Sequence, residues 1–167
     1  MLAENGTMKR LLSLVLASAL YWSGTMARAE SATDDRQRAE AIFAAHDAFY
    51  ASQNAAEIET YLKAVAEDII VMPADERAVE GKDAYRAHLL KSLASGHPAI
   101  RHEVIQVSSF AEVVVVRGRA VGSFTPPAST TSFPFETKDV FLFRRLKSRD
   151  LQVWQVIFNR NPGPGPI

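Results

Sequence analysis

The stretch Glu67–Leu93 constrains the fold of this chain most strongly, because it combines a strand, a turn, a short second strand and a helix. The run Ile69–Met72 is apolar and rich in β-branched residues, and Pro73 ends it. A helix is then predicted after Gly81, because apolar side chains recur on one face at Tyr85, Leu89 and Leu93. With helical patterns before it and strand patterns after it, this stretch predicts an α+β domain.

The first 29 residues have the order of features found in a secretory signal peptide. Lys9 and Arg10 precede the apolar run Leu11–Trp22, and the small-residue triplet Ala27–Ala29 follows. We therefore expect cleavage after Ala29 and an exported protein, periplasmic or secreted. A membrane anchor is the alternative, but serines interrupt the apolar run, which is shorter than a membrane span requires.

Composition limits what the remaining chain can be. Residues 30–160 fit one domain, and the tail 161–167 has too much Pro and Gly to pack, so we expect it to be disordered. The whole chain has 19 basic and 19 acidic residues and no cysteine. This predicts no nucleic acid binding, no disulfide, and no stable membrane insertion once the leader is removed.

Helical and strand periodicity divide the domain into two halves. The spacing predicts a helix over 33–53, with its apolar residues and His46 on one face, and a second helix over 56–66. Beyond Gly96, four consecutive strands are predicted, over 101–108, 112–125, 135–147 and 151–160. We expect them to form a curved antiparallel sheet, on which three helices pack.

Alternation along the strands predicts two faces of that sheet. We expect the even-numbered residues to face the helices: His102, Val104, Val114, Val116, Gly118, Ala120, Val140, Leu142, Trp154, Val156 and Phe158. The odd-numbered face combines charge with apolar surface: Glu103, Arg117, Arg119, Asp139, Val113, Val115, Phe141, Phe143, Val153 and Ile157. That mixture favours contact with a second subunit in a homodimer, although one β-bulge would exchange part of the two faces.

The motifs Asn54–Glu57, Asp68–Pro73, Val79–Gly81 and Gln155–Asn159, in this order, resemble the nuclear transport factor 2-like superfamily. Within it, the chain is most similar to the SnoaL-like and ketosteroid isomerase-related branch, particularly to exported members of undefined function. The resemblance covers nearly all of residues 30–160. It implies a cone-shaped domain with an apolar pocket between the sheet and a long helix, and frequent dimers through the sheet.

The same resemblance leaves the chemistry open, because the superfamily includes isomerases, cyclases, dehydratases and binding modules. The position that matches the ketosteroid isomerase base falls at Met72 or Pro73, and the matching tyrosine position falls at Phe49. None of these side chains can transfer a proton. We therefore expect no enzyme-like isomerisation of a β,γ-unsaturated steroid ketone.

Two histidines are the candidate catalytic residues. His46 lies on the apolar face of the first predicted helix, where an imidazole could move a proton, although a satisfied core histidine is the more common case. His102 would be a second imidazole at the pocket edge, although a histidine near a strand end is more often exposed. We expect the pocket itself to be lined by Tyr50, Met72, Trp154, Val156 and Phe158.

Neither a metal nor a cofactor is expected, because the four histidines lack a local ligand spacing and no nucleotide-binding motif is present. The leading hypothesis is an exported domain that binds a small apolar molecule in a cofactor-free pocket. One alternative is a cofactor-independent isomerase or cyclase that uses His46. The other is a dimeric interaction module whose pocket has collapsed.

Overall fold

The structure is a computed structural model that describes residues 31–161. The predicted signal peptide and the residues after Asn161 lie outside this range. Within 31–161, no helix is long and apolar enough to cross a membrane.

Three helices and six strands make up the described part of the chain. Helix α1 spans 31–52, and a 3-10 turn at Ala55–Glu57 leads into the short helix α2, Ile58–Leu62. Strands β1 (Val65–Met72) and β2 (Val79–Glu80) precede helix α3 (Lys82–Ala94), and four long strands complete the domain: β3 (His97–Ser109), β4 (Val113–Thr125), β5 (Phe133–Arg145) and β6 (Leu151–Arg160).

The strands form one curved, unclosed sheet in the order β2-β1-β6-β5-β4-β3. Neighbouring strands are antiparallel except β1, which runs parallel to β6. The α+β cone predicted from the sequence is confirmed. The second helix is shorter than expected, because Val65 already pairs with Val153 of β6 and draws residues 65–66 into the sheet.

The register between β4 and β5 corrects the predicted faces of the sheet. Val116 pairs with Phe141, so even-numbered residues of β4 share a face with odd-numbered residues of β5. Asp139, Phe141 and Phe143 therefore lie on the concave, helix-facing side and are buried. The expectation that Val140 and Leu142 face the helices is wrong, because parity across a hairpin depends on how its strands are paired.

Two β-bulges in antiparallel strand pairs change the direction in which side chains face within a strand. One interrupts the pairing of β3 with β4 at Ile105, and the other interrupts β6 at Trp154, since Leu142 pairs with Gln155 but Phe143 pairs with Val153. Each bulge adds one residue and reverses the alternation beyond it. As a result, Val153 is buried within the core, although the sequence assigned it to the outer face.

Helix α1 crosses the concave face and contributes buried residues at the spacing of helical turns: Asp35, Ala39, Phe43, Phe49 and Tyr50. The N-terminal part of the described helix is anchored by Asp35, whose carboxylate accepts hydrogen bonds from Arg145 at 2.6 and 2.7 Å and from Ser109 at 2.5 Å. Arg36 donates to the carbonyl oxygen of Val104 at 3.0 Å. These contacts join the helix to the edge strand β3 and to β5, which fixes its position over the sheet.

Candidate functional site

A cavity of about 640 Å³ lies between helices α1 and α3 and the concave face of the sheet. Its size falls in the range of small-molecule sites. Apolar side chains form most of its wall: Val71, Leu89, Ile100, Phe135, Phe141, Val156 and Phe158. His46, His102 and Asp139 line it as well, so ionisable groups converge within an otherwise apolar chamber.

Asp47 of α1 and His102 of β3 form a hydrogen-bonded pair beside this cavity. The Asp47 Oδ1 atom lies 2.5 Å from His102 Nδ1, and Asp47 Oδ2 accepts the backbone N–H of His102 at 2.9 Å. Burial alone would raise the pKa of Asp47, but the two hydrogen bonds from His102 outweigh it, so the pKa is well below its ordinary value. Asp47 is therefore an ionised acceptor, and His102 donates through Nδ1.

His46 packs next to this pair, but its Nδ1 atom forms no hydrogen bond with Asp47. Its ring lies 4.9 Å from that of His102, centroid to centroid, and its Nδ1 atom is 3.8 Å from Asp47 Oδ1. No described residue forms a hydrogen bond with His46 Nδ1. Burial lowers the pKa of His46 to about 4, although the nearby Asp47 acts in the opposite direction. His46 is therefore neutral at physiological pH.

Asp139 of β5 is a buried acid without a partner. The residue is 3% exposed, and neither of its carboxylate oxygens has a hydrogen-bond partner among residues 31–161. Burial is the main cause that raises the pKa of Asp139 above its ordinary value. A carboxyl group in this setting binds a proton more easily than an exposed one and, when protonated, can donate a hydrogen bond to a molecule in the cavity.

Two tyrosines, Tyr50 and Tyr61, pack against His46, and a third, Tyr85, lies against Tyr61. The hydroxyl oxygens of Tyr61 and Tyr85 are 3.3 Å apart, and the rings of Tyr50 and Tyr61 meet His46 edge-on at 5.0 and 4.7 Å. Burial raises the pKa of each of these phenols. They are thus neutral hydrogen-bonding groups that also wall off His46 from water.

Five of the seven residues that the sequence nominated line the cavity: His46, Tyr50, His102, Val156 and Phe158. The remaining two do not. Met72 is not part of the cavity wall, although its neighbours Val71 and Pro73 are. The bulge turns Trp154 to the outer face, where the Arg144 guanidinium lies 4.7 Å from its ring centroid.

Sequence reasoning missed Asp47 and misassigned Asp139. Asp47 lies one helical turn from Phe43 and Tyr50, both buried, so its spacing brings it near the buried face of α1. That signal was present in the sequence. The position of Asp139 depends on the β4–β5 register, because its partner Gly118 fixes the face on which it lies.

The donor atoms of His46, Asp47 and His102 lie within 4.8 Å of one another, close enough to be considered as ligands of one metal ion. The sequence predicted no such group, because the residues come from α1 and β3 rather than from one local motif. Two ligand atoms on a zinc ion stand about 3.3 Å apart, given metal–nitrogen bonds of about 2.0 Å. The 2.5 Å separation of Asp47 Oδ1 and His102 Nδ1 instead has the length of a hydrogen bond.

This arrangement can carry out general acid–base chemistry. The hydrogen bond to Asp47 occupies His102 Nδ1 and leaves Nε2, on the opposite side of the ring, as the atom that can accept a proton. Asp139 lines the same chamber and can supply a proton or a hydrogen bond. A positioned base and an acid that line one cavity are the combination that such catalysis requires.

Comparisons with known proteins agree with the fold and identify the family. A sequence profile described as the SnoaL-like domain matches residues 46–149, well over half of the chain. No curated protein matches the sequence. Many solved structures do match the fold.

Three solved structures illustrate that similarity. A ketosteroid isomerase-like protein from Erwinia carotovora atroseptica is 22% identical, with a TM-score of 0.58 over 74% of this chain and 97% of that one. A protein from Novosphingobium aromaticivorans, provisionally named a scytalone dehydratase, is 10% identical, with a TM-score of 0.68 over 80% and 89%. An NTF2-like protein with a cystatin-like fold from the same organism is 17% identical, with a TM-score of 0.63 over 90% of each chain. The chain therefore belongs to the SnoaL-like domain family and has the cone fold of nuclear transport factor 2-like proteins.

Proposed function

We propose that this protein binds a small, mostly apolar molecule that carries oxygen, and that it moves a proton on that molecule without a cofactor. The observation that carries this proposal is the Asp47–His102 pair, held at 2.5 Å beside an apolar cavity. Proton transfer by a positioned side chain contributes roughly 10²- to 10⁴-fold to a reaction rate. The reaction class is an isomerisation or a dehydration.

Each residue has a separate role in this proposal. His102 is the general base through Nε2, and Asp47 is a positioning residue that fixes the ring and its tautomer. Asp139, in its protonated form, donates a hydrogen bond to an oxygen of the bound molecule and stabilises negative charge that develops there. Donors fixed in a dry chamber need no reorganisation as that charge forms.

His46, the base suggested from the sequence, is less suited to that role. Its pKa of about 4 makes it a weak base, and its Nδ1 atom is buried. We assign it to shaping the chamber next to His102. The names of the isomerase-like and dehydratase-like proteins with this fold support the reaction class, whereas the open cavity disfavours a collapsed interaction module.

A deuterium-exchange screen tests the proposal. The purified protein is incubated in D₂O with a panel of cyclic enones, aryl ketones and β-hydroxy ketones, and exchange at the carbon next to the carbonyl is followed by NMR. We expect exchange with at least one compound, lost in His102→Asn and reduced in Asp47→Asn. His97→Asn is the matched control, because His97 is exposed and bonds to Gln53 outside the cavity.

Exchange that persists in His102→Asn would remove this residue from the mechanism. Binding of panel compounds without any exchange would reduce the function to binding alone. Turnover that survives chelator treatment is also expected, because the pair is joined by a hydrogen bond rather than by an ion.

We propose in addition that the protein is exported, on the strength of the basic and apolar leader that ends at Ala29. The intact mass of the exported protein should correspond to a chain that begins at Glu30.

We also propose a homodimer through the outer face of the sheet. After correction of the register, the apolar residues of that face are Val113, Val115, Val140, Leu142 and Ile157.

A further inference from the structure

The mouth of the cavity differs in charge from its interior. The lining residues that are exposed define the mouth: Glu76, Lys91, Ser95, Phe133, Pro134 and Arg160. Lys91 lies in the last turn of α3 and Arg160 at the end of β6, so the two cations approach the opening from the helical side and from the sheet.

These two cations are available to a bound molecule. No ion pair joins Lys91 or Arg160 to another residue within 31–161, whereas other surface cations are neutralised, such as Arg86 by Glu59 and Arg144 by Asp68. Glu76 is the acidic lining residue at the mouth, and it has a neighbour of its own, because His88 Nδ1 lies 3.8 Å from its carboxylate.

The interior of the cavity disfavours an anion, because its described residues supply carboxyl groups rather than lysine or arginine cations. The ionised Asp47 stands behind His102, and Asp139 adds a second carboxyl group without a basic partner. A negatively charged group placed there would lose its hydration and be repelled by the ionised Asp47, with no lysine or arginine among the described residues there to compensate. Between this end and the mouth the wall is apolar, with Val71, Leu89 and Phe158 among its residues.

We propose that the ligand is an amphipathic acid whose anionic group stays at the mouth between Lys91 and Arg160 while its apolar body fills the chamber. This inference rests on the proposed function, because the far end of the same molecule would meet His102 and Asp139. Lys91 and Arg160 would then determine specificity without taking part in the proton transfer.

A matched pair of ligands tests the inference. Dodecanoic acid and dodecanol, which share a chain length and differ in charge, are used to displace the neutral dye Nile red from the purified protein at low ionic strength. We expect the acid to bind roughly three- to tenfold more tightly, as two partly exposed ion pairs would provide, and the preference to shrink as salt is added.

Two double variants separate a local effect from one of net charge. Lys91→Gln with Arg160→Gln should abolish the preference for the acid. Lys63→Gln with Lys147→Gln removes the same charge from exposed residues that do not line the cavity, and should preserve it.

Each outcome bears on a different claim. Equal binding of acid and alcohol, or a preference that survives in the Lys91/Arg160 variant, would overturn the anion inference while leaving the proton-transfer proposal intact. Failure of the acid, the alcohol and the dye to bind at all would overturn both.

Discussion

The carboxylate of Asp47 receives two hydrogen bonds from a single residue, His102, one from its backbone N–H at 2.9 Å and one from its ring Nδ1 at 2.5 Å. Strand β3 is an edge of the sheet, so backbone groups on its free side need partners. Asp47 meets that need and orients the imidazole at the same time. The position of the proposed base is therefore tied to the seam between α1 and β3.

Removing the charge at Asp35 should destabilise the domain. Asp35 is 1% exposed and binds both Arg145 and Ser109, so Asp35→Asn leaves the Arg145 guanidinium without its carboxylate. We expect a loss of about 3 kcal/mol in the free energy of unfolding, measured with urea at pH 7. Asp34→Asn is the control: its exposed pair with Arg38, at 3.3 Å, should contribute less than about 1 kcal/mol.

The direction in which the stabilising contribution of Asp35 changes with pH can also be predicted. The pKa of Asp35 is lowered: burial would raise it, but hydrogen bonds from Arg145 and Ser109 dominate. Its contribution to stability is therefore present at neutral pH and lost as the pH falls below the unfolded pKa of about 4. If Asp34→Asn and Asp35→Asn cost the same at pH 7, the buried anchor has no special role.

His46 should make stability depend on pH between about 6.5 and 4. Because burial lowers the pKa of His46 to about 4 in the folded state, the unfolded chain binds a proton first as the pH falls. The free energy of unfolding should decrease over this window by about 3 kcal/mol, since one pKa unit corresponds to about 1.4 kcal/mol. Comparing wild type with His46→Gln by urea unfolding isolates this contribution, and parallel pH curves would contradict it.

Asp139→Asn should separate stability from function. Because burial raises the pKa of Asp139 in the folded state, its stabilising contribution is complete at acidic pH and is lost as the pH rises. The Asn variant should therefore gain stability relative to wild type at pH 8 but not at pH 4, while proton transfer in the cavity slows. A variant less stable than wild type at pH 8 would mean that the carboxylate is stabilised in its charged form.

The proposed dimer is tested at Ile157, which is 37% exposed on the outer face of the sheet. Ile157→Asp should convert a dimer into a monomer in light scattering at micromolar concentration. Leu90→Asp changes an equally exposed residue on α3 and should not alter the mass. The substitution Phe141→Asp, which the sequence alone would have suggested, probes the core instead, because Phe141 is buried on the concave face. A wild-type protein that is monomeric under these conditions would rule out the proposed dimer interface.

Much of the fold could be predicted from the sequence because it depends on local periodicity. The apolar spacing along α1 indicated that Phe43, His46 and Tyr50 share a face, and all three contact one cluster of aromatic rings in the structure. The alternation of β6 indicated its bounds, Leu151–Arg160. Both signals lie within one element and need no knowledge of its neighbours.

The site required information that periodicity does not hold. Asp47 and His102 are 55 residues apart and meet only when α1 lies across the edge of β3. The concave position of Asp139 follows from the β4–β5 pairing, and one extra residue in β6 turned Trp154 outward. A register or a bulge is a long-range property, so strand parity predicted some pocket residues and missed others.

The most direct test of the account is the tautomer of His102, measured by ¹⁵N–¹H NMR of ring-labelled protein at a pH at which the ring is neutral. We predict that the proton resides on Nδ1, bonded to the Asp47 carboxylate, with Nε2 unprotonated toward the cavity. We also expect Asp47→Asn to weaken this preference. A neutral ring protonated on Nε2 in the wild-type protein would contradict the assignment of His102 as the base.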